Sequence, residues 1–220
     1  MLIMKSKKSI KLLIFDLDGT LIDSAPDLHT SINYTLKIFN KEEIDIDTVR
    51  RYIGDGAKML VTRALSGGED VYNEEEVQRA LKVFMDNYKK NSCNKTYLYD
   101  GVKETLEKLS HKKVIVTNKP YEFVEPILEK LGIKHFFEFW IGGDSLDEKK
   151  PSSKPLLYVC DKLNINPKNT VMIGDSKNDI FAAKNANIKS VGVTYGYEKN
   201  IKNYKPDLIV NHFKELLTLI

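Results

Sequence analysis

The run Ile10-Lys-Leu-Leu-Ile-Phe15 stops at Asp16, and Asp18-Gly-Thr20 follows at once. A short apolar run bounded by turn residues reads as a buried strand, and it is too short to span a membrane as a helix. Aspartate is a poor strand residue and a good turn residue, so the strand is expected to end with two acids exposed at its carboxyl edge. Open α/β sheets place their chemistry at that edge. Two carboxylates there can converge on one space, one as nucleophile and one as acid/base. A strand followed by an Asx turn accounts for these residues as well.

The rest of the chain shows what kind of sheet this strand belongs to. From Asp100 onward, short apolar runs alternate with helical stripes. The strands are expected at Lys113–Thr117, Phe136–Ile141, Thr170–Gly174, Ser190–Val193 and Leu208–Val210. The helices are expected at Gly101–Leu109, Glu122–Leu131, Pro155–Leu163, Asp179–Ala186 and from His212. Such alternation predicts a parallel, Rossmann-like sheet covered on both faces. Between Ile22 and this region the strand signal is missing. Helical stripes take its place, from Ser24 as a cap to Phe39, at Met59–Leu65, and at Glu74–Lys90 with Val77, Leu81, Phe84 and Tyr88 on one face. The predicted organisation is an α/β core of residues 1–22 and 92–220 with a helical cap domain, 23–91, inserted after the first strand.

Composition excludes several classes. Hydrophobic residues make up 42% and charged residues 30%, as in an ordinary globule. Lys5, Lys7, Lys8 and Lys11 outweigh the whole net charge of +3. The basic balance therefore reads as a solubilising N-terminal segment, and no basic stripe with interleaved aromatics points to nucleic acid. Cys93 and Cys160 lack metal-ligand spacing and read as small buried residues. The expected compartment is the cytoplasm, with no membrane partner. His29, His111, His135 and His212 have no partner at ligand spacing. No glycine-rich phosphate loop or dinucleotide fingerprint occurs.

Four polar clusters remain. They are Asp16-Leu-Asp-Gly-Thr20, Thr117-Asn118-Lys119, Lys149-Lys150-Pro151 and Gly174-Asp175-Ser176-Lys177-Asn178-Asp179. Each alone has a plain reading: a turn, a helix cap before Pro120, a solvated lysine, a βα turn. Together at one sheet edge they would build a single pocket of acids, a hydroxyl, an amide and a lysine.

In this order the clusters resemble the four motifs of the haloacid dehalogenase-like hydrolases, over nearly the whole chain. Val49-Arg-Arg-Tyr-Ile-Gly-Asp-Gly56 with Leu60-Val-Thr-Arg-Ala-Leu65, and Gly142-Gly143-Asp144, resemble the phosphoglycolate phosphatase-like branch. Ser153 stands where that branch commonly has proline. The resemblance implies a phosphomonoesterase with Asp16 as nucleophile, forming an aspartyl-phosphate, and Asp18 as general acid and then general base. It implies a Mg²⁺ site from Asp16, Asp175 and the Asp18 backbone carbonyl, with Asp179 behind it and Thr20 bonding locally to hold the turn. Thr117, Asn118 and Lys150 are expected to bind the phosphoryl group, with help from the N-terminus of the helix after Pro120. In the cap, Arg50, Arg51 and Lys58 are the candidates to meet the rest of the substrate.

The implied partner is a small phosphorylated metabolite, with 2-phosphoglycolate the best named one, and the protein is expected as a monomer or homodimer. Pyrophosphatase, sugar or nucleotide phosphatase and sugar-phosphate mutase are the alternatives on the same fold. A non-catalytic, receiver-like binding module is the alternative of another class.

Overall fold

A computed structural model describes residues 10–220. The basic segment carrying Lys5, Lys7 and Lys8 lies outside the described residues. Contacts divide the chain into two units, residues 10–22 with 98–220, and Asp23–Tyr97.

The first unit is built on a six-stranded sheet, all of it parallel. In chain order its strands are β1 (Leu12–Phe15), β4 (Lys112–Val116), β5 (Phe139–Ile141), β6 (Thr170–Gly174), β7 (Lys189–Val193) and β8 (Leu208–Val210). Two short strands, β2 (Ile22–Asp23) and β3 (Tyr97–Leu98), pair with each other where the chain leaves and re-enters this unit. The sheet order is β5-β4-β1-β6-β7-β8, which puts β1 between β4 and β6. All four β1 residues are fully buried because both faces of the strand are covered.

Alternation along β1 decides which side chain serves which face. Leu12 and Ile14 join Val114, Val116, Met172, Leu156, Val159 and Ala182 in one apolar cluster. Phe15 points the other way, where its ring meets Phe213 at 5.8 Å and Phe137 at 6.2 Å. Truncating Phe15 to Ala would cost roughly 3–5 kcal/mol as a buried aromatic cavity. The crossovers are α5 (Val102–Lys108), α6 (Tyr121–Lys130), α7 (Lys154–Lys162) and α8 (Lys177–Asn185), and α9 (Leu216–Leu219) closes the chain. No helix among the described residues is long and apolar enough to cross a membrane.

The second unit contains α1 (Ala25–Ile38), α2 (Ile46–Tyr52), α3 (Ala57–Ser66) and α4 (Glu74–Asn91). Leu28, Ile32 and Leu36 of α1 are buried, as are Val77, Ala80, Phe84 and Tyr88 of α4, whose two rings stack at 5.6 Å. Asn73 caps α4 through the Glu76 amide. Three glutamates in the first turn of α4 and Lys89 and Lys90 in the last match the helix dipole. Gly67 ends α3 in the left-handed region that glycine reaches without strain.

The structure differs from the sequence reading in several places. Ser24 does not cap α1 through its side chain; the Asp23 carboxylate accepts from the Ala25 amide at 3.0 Å instead. Helix α2 is not marked by apolar periodicity, since Val49 is its one buried residue. The inserted unit runs to Tyr97 and not to residue 91. The buried Asp27 carboxylate explains this, because it accepts from the Lys95 amide (2.9 Å), the Thr96 amide (2.8 Å) and the Thr96 hydroxyl (2.7 Å). That ties the chain after α4 to α1. Strand β5 begins only at Phe139, because Lys134–Phe136 forms a 3-10 turn. The helix expected from His212 is a 3-10 turn, Phe213–Glu215, running into the short α9.

Candidate active site

All of the site lies within the sheet unit, and the register explains why its parts meet. Phe15 is level with Ile115 on β4 and with Ile173 on β6. The next residue along each strand therefore reaches the same edge. The Asp16 amide extends the ladder by one bond, to the Ile173 carbonyl at 2.9 Å, and the Thr117 amide does the same to Ile141 at 3.0 Å. Asp16 is thus level with Val116 and Gly174, and Thr117 and Asp175, one residue further along their strands, leave the sheet at the same edge. Gly19 makes the turn after Asp16 with φ +88°, and a Cβ there would lie 2.3 Å from an Asp175 carboxylate oxygen. Glycine is needed both for the turn and for the approach of Asp175.

Lys150 lies just before α7 and is buried. Its ammonium donates to Asp16 Oδ1 at 2.8 Å, to Asp179 Oδ1 at 2.6 Å and to the Val116 carbonyl at 2.6 Å. Its own carbonyl accepts from the Asn118 side-chain amide at 2.9 Å, and the Lys150–Pro151 peptide is cis. Asp179 divides its two oxygens. One meets Lys150, and the other accepts from the Ser176 amide (3.0 Å) and hydroxyl (2.7 Å) in a capping box that starts α8. Asp175 accepts from the Thr20 hydroxyl at 3.3 Å and from the Tyr197 amide at 2.8 Å. Tyr195 donates its hydroxyl to the Thr20 carbonyl at 2.9 Å.

Charge is crowded here. Burial pushes the Asp16 carboxyl up to about 7; Lys150 pulls it back down, and Asp179 and Asp18 add to the rise. Burial, with the charges of Asp16 and Asp179, holds Asp175 well above the usual carboxylate range. Burial opposes the Lys150 ammonium, but Asp16 and Asp179 together outweigh it and raise its pKa. Burial raises the Tyr195 phenol, and the charge of Asp175 raises it further.

One oxygen from each of Asp16, Asp175 and Asp179 lies within 4.8 Å of the others, and all three residues are buried. Carboxylates this close, desolvated and raised by their mutual repulsion, fit a hard divalent cation bound through oxygen. The donor set is entirely carboxylate, which suits Mg²⁺ better than a thiolate- or imidazole-seeking metal.

The structure therefore brings together two bonded sets, Asp16, Asn118, Lys150 and Asp179 in one and Thr20 and Asp175 in the other, which meet at the three carboxylates, with Thr117 beside them. Four details depart from the sequence reading or add to it. The Thr20 hydroxyl does not bond locally but crosses to Asp175, because the turn at Gly19 brings that carboxylate against it. Asp179 orients Lys150 from behind, and one of its oxygens also stands within the acidic trio. The Asp18 side chain is engaged by Lys119, whose ammonium is 3.1 Å from both carboxylate oxygens. The first amide of α6, at Tyr121, is occupied by Asp144 at 2.8 Å, so it is not open to an anion.

The three cationic candidates of the inserted unit are engaged within that unit. Arg50 bonds Asp23 and Asp47, each at 3.1 Å; Arg51 bonds the Thr48 hydroxyl at 2.6 Å; Lys58 pairs with Glu74 at 2.6 Å on the surface. Lys119, Tyr195 and Tyr197 were not legible as site residues. A lysine at the end of a polar cluster reads as solvated, and the Thr194–Tyr197 loop carries no acid to mark it. Its position after β7 was the available signal, since that strand ends at the same edge.

A parallel sheet that gathers three acids and a buried lysine at its carboxyl edge, with a helical unit inserted after its first strand, defines the class. The chain belongs to the haloacid dehalogenase-like hydrolase family, whose family model matches residues 13–193. It is 47% identical over 215 residues to a phosphoglycolate phosphatase of Colwellia psychrerythraea, covering 94% of this chain and 95% of the relative. It is 45% identical to a phosphoglycolate phosphatase of Psychrobacter arcticus, with 94% of each chain covered. Among solved structures, a predicted phosphoglycolate phosphatase from Haemophilus somnus superposes with a TM-score of 0.91 at 42% identity, over 97% of this chain and 99% of that one.

Proposed function

We propose that this protein is a Mg²⁺-dependent phosphomonoesterase of the cytoplasm that hydrolyses 2-phosphoglycolate to glycolate and phosphate. The observation that carries the reading is the Asp16 carboxylate, buried at the end of β1, held 2.8 Å from Lys150 and flanked by Asp175. The relatives named phosphoglycolate phosphatase supply the substrate.

In this reading an Asp16 carboxylate oxygen attacks phosphorus. The bond from phosphorus to the ester oxygen breaks, and Asp18 gives that oxygen its proton. The products of this half are glycolate and an aspartyl-phosphate. Asp18, now a carboxylate, takes a proton from water as the water oxygen bonds to phosphorus. The bond to Asp16 breaks, which regenerates its carboxylate and releases phosphate.

Lys150 offsets the negative charge that Asp16 shares with the phosphoryl group, and it is pre-aimed by Val116 and Asp179. Thr117 accepts from the Lys119 amide at 3.1 Å, which leaves its hydroxyl proton to donate to a phosphoryl oxygen. The Asn118 amide is the second donor in this reading. Mg²⁺ held by Asp16 and Asp175, with Asp179 alongside, would supply positive charge against the phosphoryl oxygens. The inserted helical unit is the cap in this reading, excluding bulk water from the reacting groups.

A screen of phosphate esters with Mg²⁺, ranked by kcat/KM, tests the proposal. Phosphoglycolate should lead. Sugar phosphates, nucleotides or pyrophosphate clearly outperforming it would overturn the substrate and leave the phosphatase chemistry standing.

A further inference from the structure

We infer that Lys119 is the residue that recognises the carboxylate of the substrate's leaving group, so that specificity for an acidic leaving group is built into the sheet unit. The inference rests on the proposed phosphoglycolate reaction and names the group that reads its substrate.

Lys119 follows β4 by three residues and is only 5% exposed. Its ammonium lies 3.1 Å from both oxygens of Asp18. In the reaction Asp18 must stand at hydrogen-bond distance, about 2.7 Å, from the ester oxygen it protonates. In phosphoglycolate the carboxylate is one carbon removed from that oxygen, so ordinary bond lengths keep its oxygens within about 3.6 Å of it. A cation seated on Asp18 is therefore within reach of the substrate carboxylate without any rearrangement of the strand ends.

Charge makes the same case. The site holds the carboxylates of Asp16, Asp18, Asp175 and Asp179, and its other buried ammonium, Lys150, is committed to Asp16 and Asp179. An anionic leaving group must enter a pocket that already holds the carboxylates of Asp16, Asp175 and Asp179, and needs a cation where it lies beside Asp18. An ammonium can share its hydrogens between Asp18 and a substrate carboxylate that arrives beside it.

The test is a ratio. kcat/KM is measured for 2-phosphoglycolate and for ethyl phosphate, which keeps the two-carbon ester and lacks the carboxylate. Loss of the bond to Asp18 in Lys119→Met slows both substrates and cancels in the ratio. Loss of a charge-assisted contact to the carboxylate falls on phosphoglycolate alone, so the ratio should drop by at least about tenfold, mostly through KM. Lys119→Arg should restore part of it. If Lys119→Met does not fold, Lys119→Gln, which keeps a donor for Asp18, gives the same reading. A wild-type preference for phosphoglycolate that survives in the variants would overturn this inference alone. A wild type with no such preference would overturn the substrate assignment and this inference with it.

Discussion

Lys150 sets its ammonium 2.8 Å from Asp16 Oδ1, with 2% of the lysine side chain and 11% of the aspartate side chain exposed. A pair this buried is costly to break from one side, because the remaining charge has no water to turn to. Removing the lysine would also strand Asp179, its second partner. Lys150→Met is expected to abolish turnover. It should also lower the metal-free protein's stability at pH 8 by roughly 3–5 kcal/mol, the usual cost of orphaning a buried charge. Urea unfolding of both proteins in EDTA measures this, and an unchanged midpoint would remove Lys150 as the counter-ion of the site.

The proposed nucleophile is tested by trapping. Rapid quench of the wild type with labelled substrate should leave label on Asp16. Asp16→Asn should fold and lose nearly all activity, since an amide is a far poorer nucleophile toward phosphorus. Turnover near the wild-type rate, with deamidation back to aspartate excluded by mass, would refute the aspartyl-phosphate route.

In the proposed reaction Asp18 differs from Asp16 in role, and in the structure it differs in partner, Lys119. As a general acid it matters most where the leaving oxygen is a poor leaving group. Asp18→Asn should slow single-turnover phosphorylation by an alkyl phosphate far more than by nitrophenyl phosphate, whose phenolate leaves without help. Equal slowing of both would mean that Asp18 only shapes the turn.

These residues show which signals a chain carries in its order and which arise only on folding. The first strand was legible because Leu12–Phe15 is apolar throughout and ends abruptly in acids. The parallel sheet was legible because short apolar runs alternate with amphipathic ones. Convergence of Asp16, Lys150, Asp175 and Asp179 followed from placing strand ends at one edge. What stayed hidden depends on long-range pairing between ordinary-looking residues. Lys119 meets Asp18 across 101 residues, and Thr20 meets Asp175 across 155. The boundary at Tyr97 stayed hidden for the same reason, because Asp27 secures Lys95 and Thr96 from 68 and 69 residues away.

The crowded acids give the metal-free protein a pH signature. Asp16 titrates near 7 in the folded chain against an ordinary value of 3.8. The folded state therefore holds a proton that the unfolded chain has released. The stability this contributes is full below about pH 3.8 and is lost as pH rises through about 7, up to roughly 4 kcal/mol as an upper bound. Relative to Asp16→Asn, which cannot titrate, metal-free wild type should lose stability between pH 4 and 7. Saturating Mg²⁺ should flatten that slope, and Asp175→Asn should weaken the Mg²⁺ effect. Denaturant unfolding with EDTA or Mg²⁺ decides it; a Mg²⁺ stabilisation that is the same with and without Asp175 would exclude that residue as a ligand.

The last prediction concerns the loop after β7, which supports Asp175 without carrying an acid of its own. The Tyr197 amide bonds Asp175 at 2.8 Å, the Tyr195 hydroxyl bonds the Thr20 carbonyl, and Gly196 passes between them. A Cβ on Gly196 would lie 2.3 Å from the Asp175 Cβ and 2.5 Å from the Gly19 carbonyl oxygen. Both neighbours are fixed, one in the acidic trio and one in the turn after β1, so neither can move aside cheaply. Gly196→Ala should push the loop away, weaken the Tyr197 bond and free Asp175 to rotate. The expected result is a folded protein that needs at least about tenfold more Mg²⁺ for half-maximal activity, a loss of about 1.4 kcal/mol in metal affinity. Phosphoglycolate KM at saturating Mg²⁺ should change much less, because in the proposed reading the loop acts through Asp175 as a metal ligand and not through the leaving group. A Mg²⁺ titration that overlays the wild type would show that the loop only covers the site and does not position Asp175.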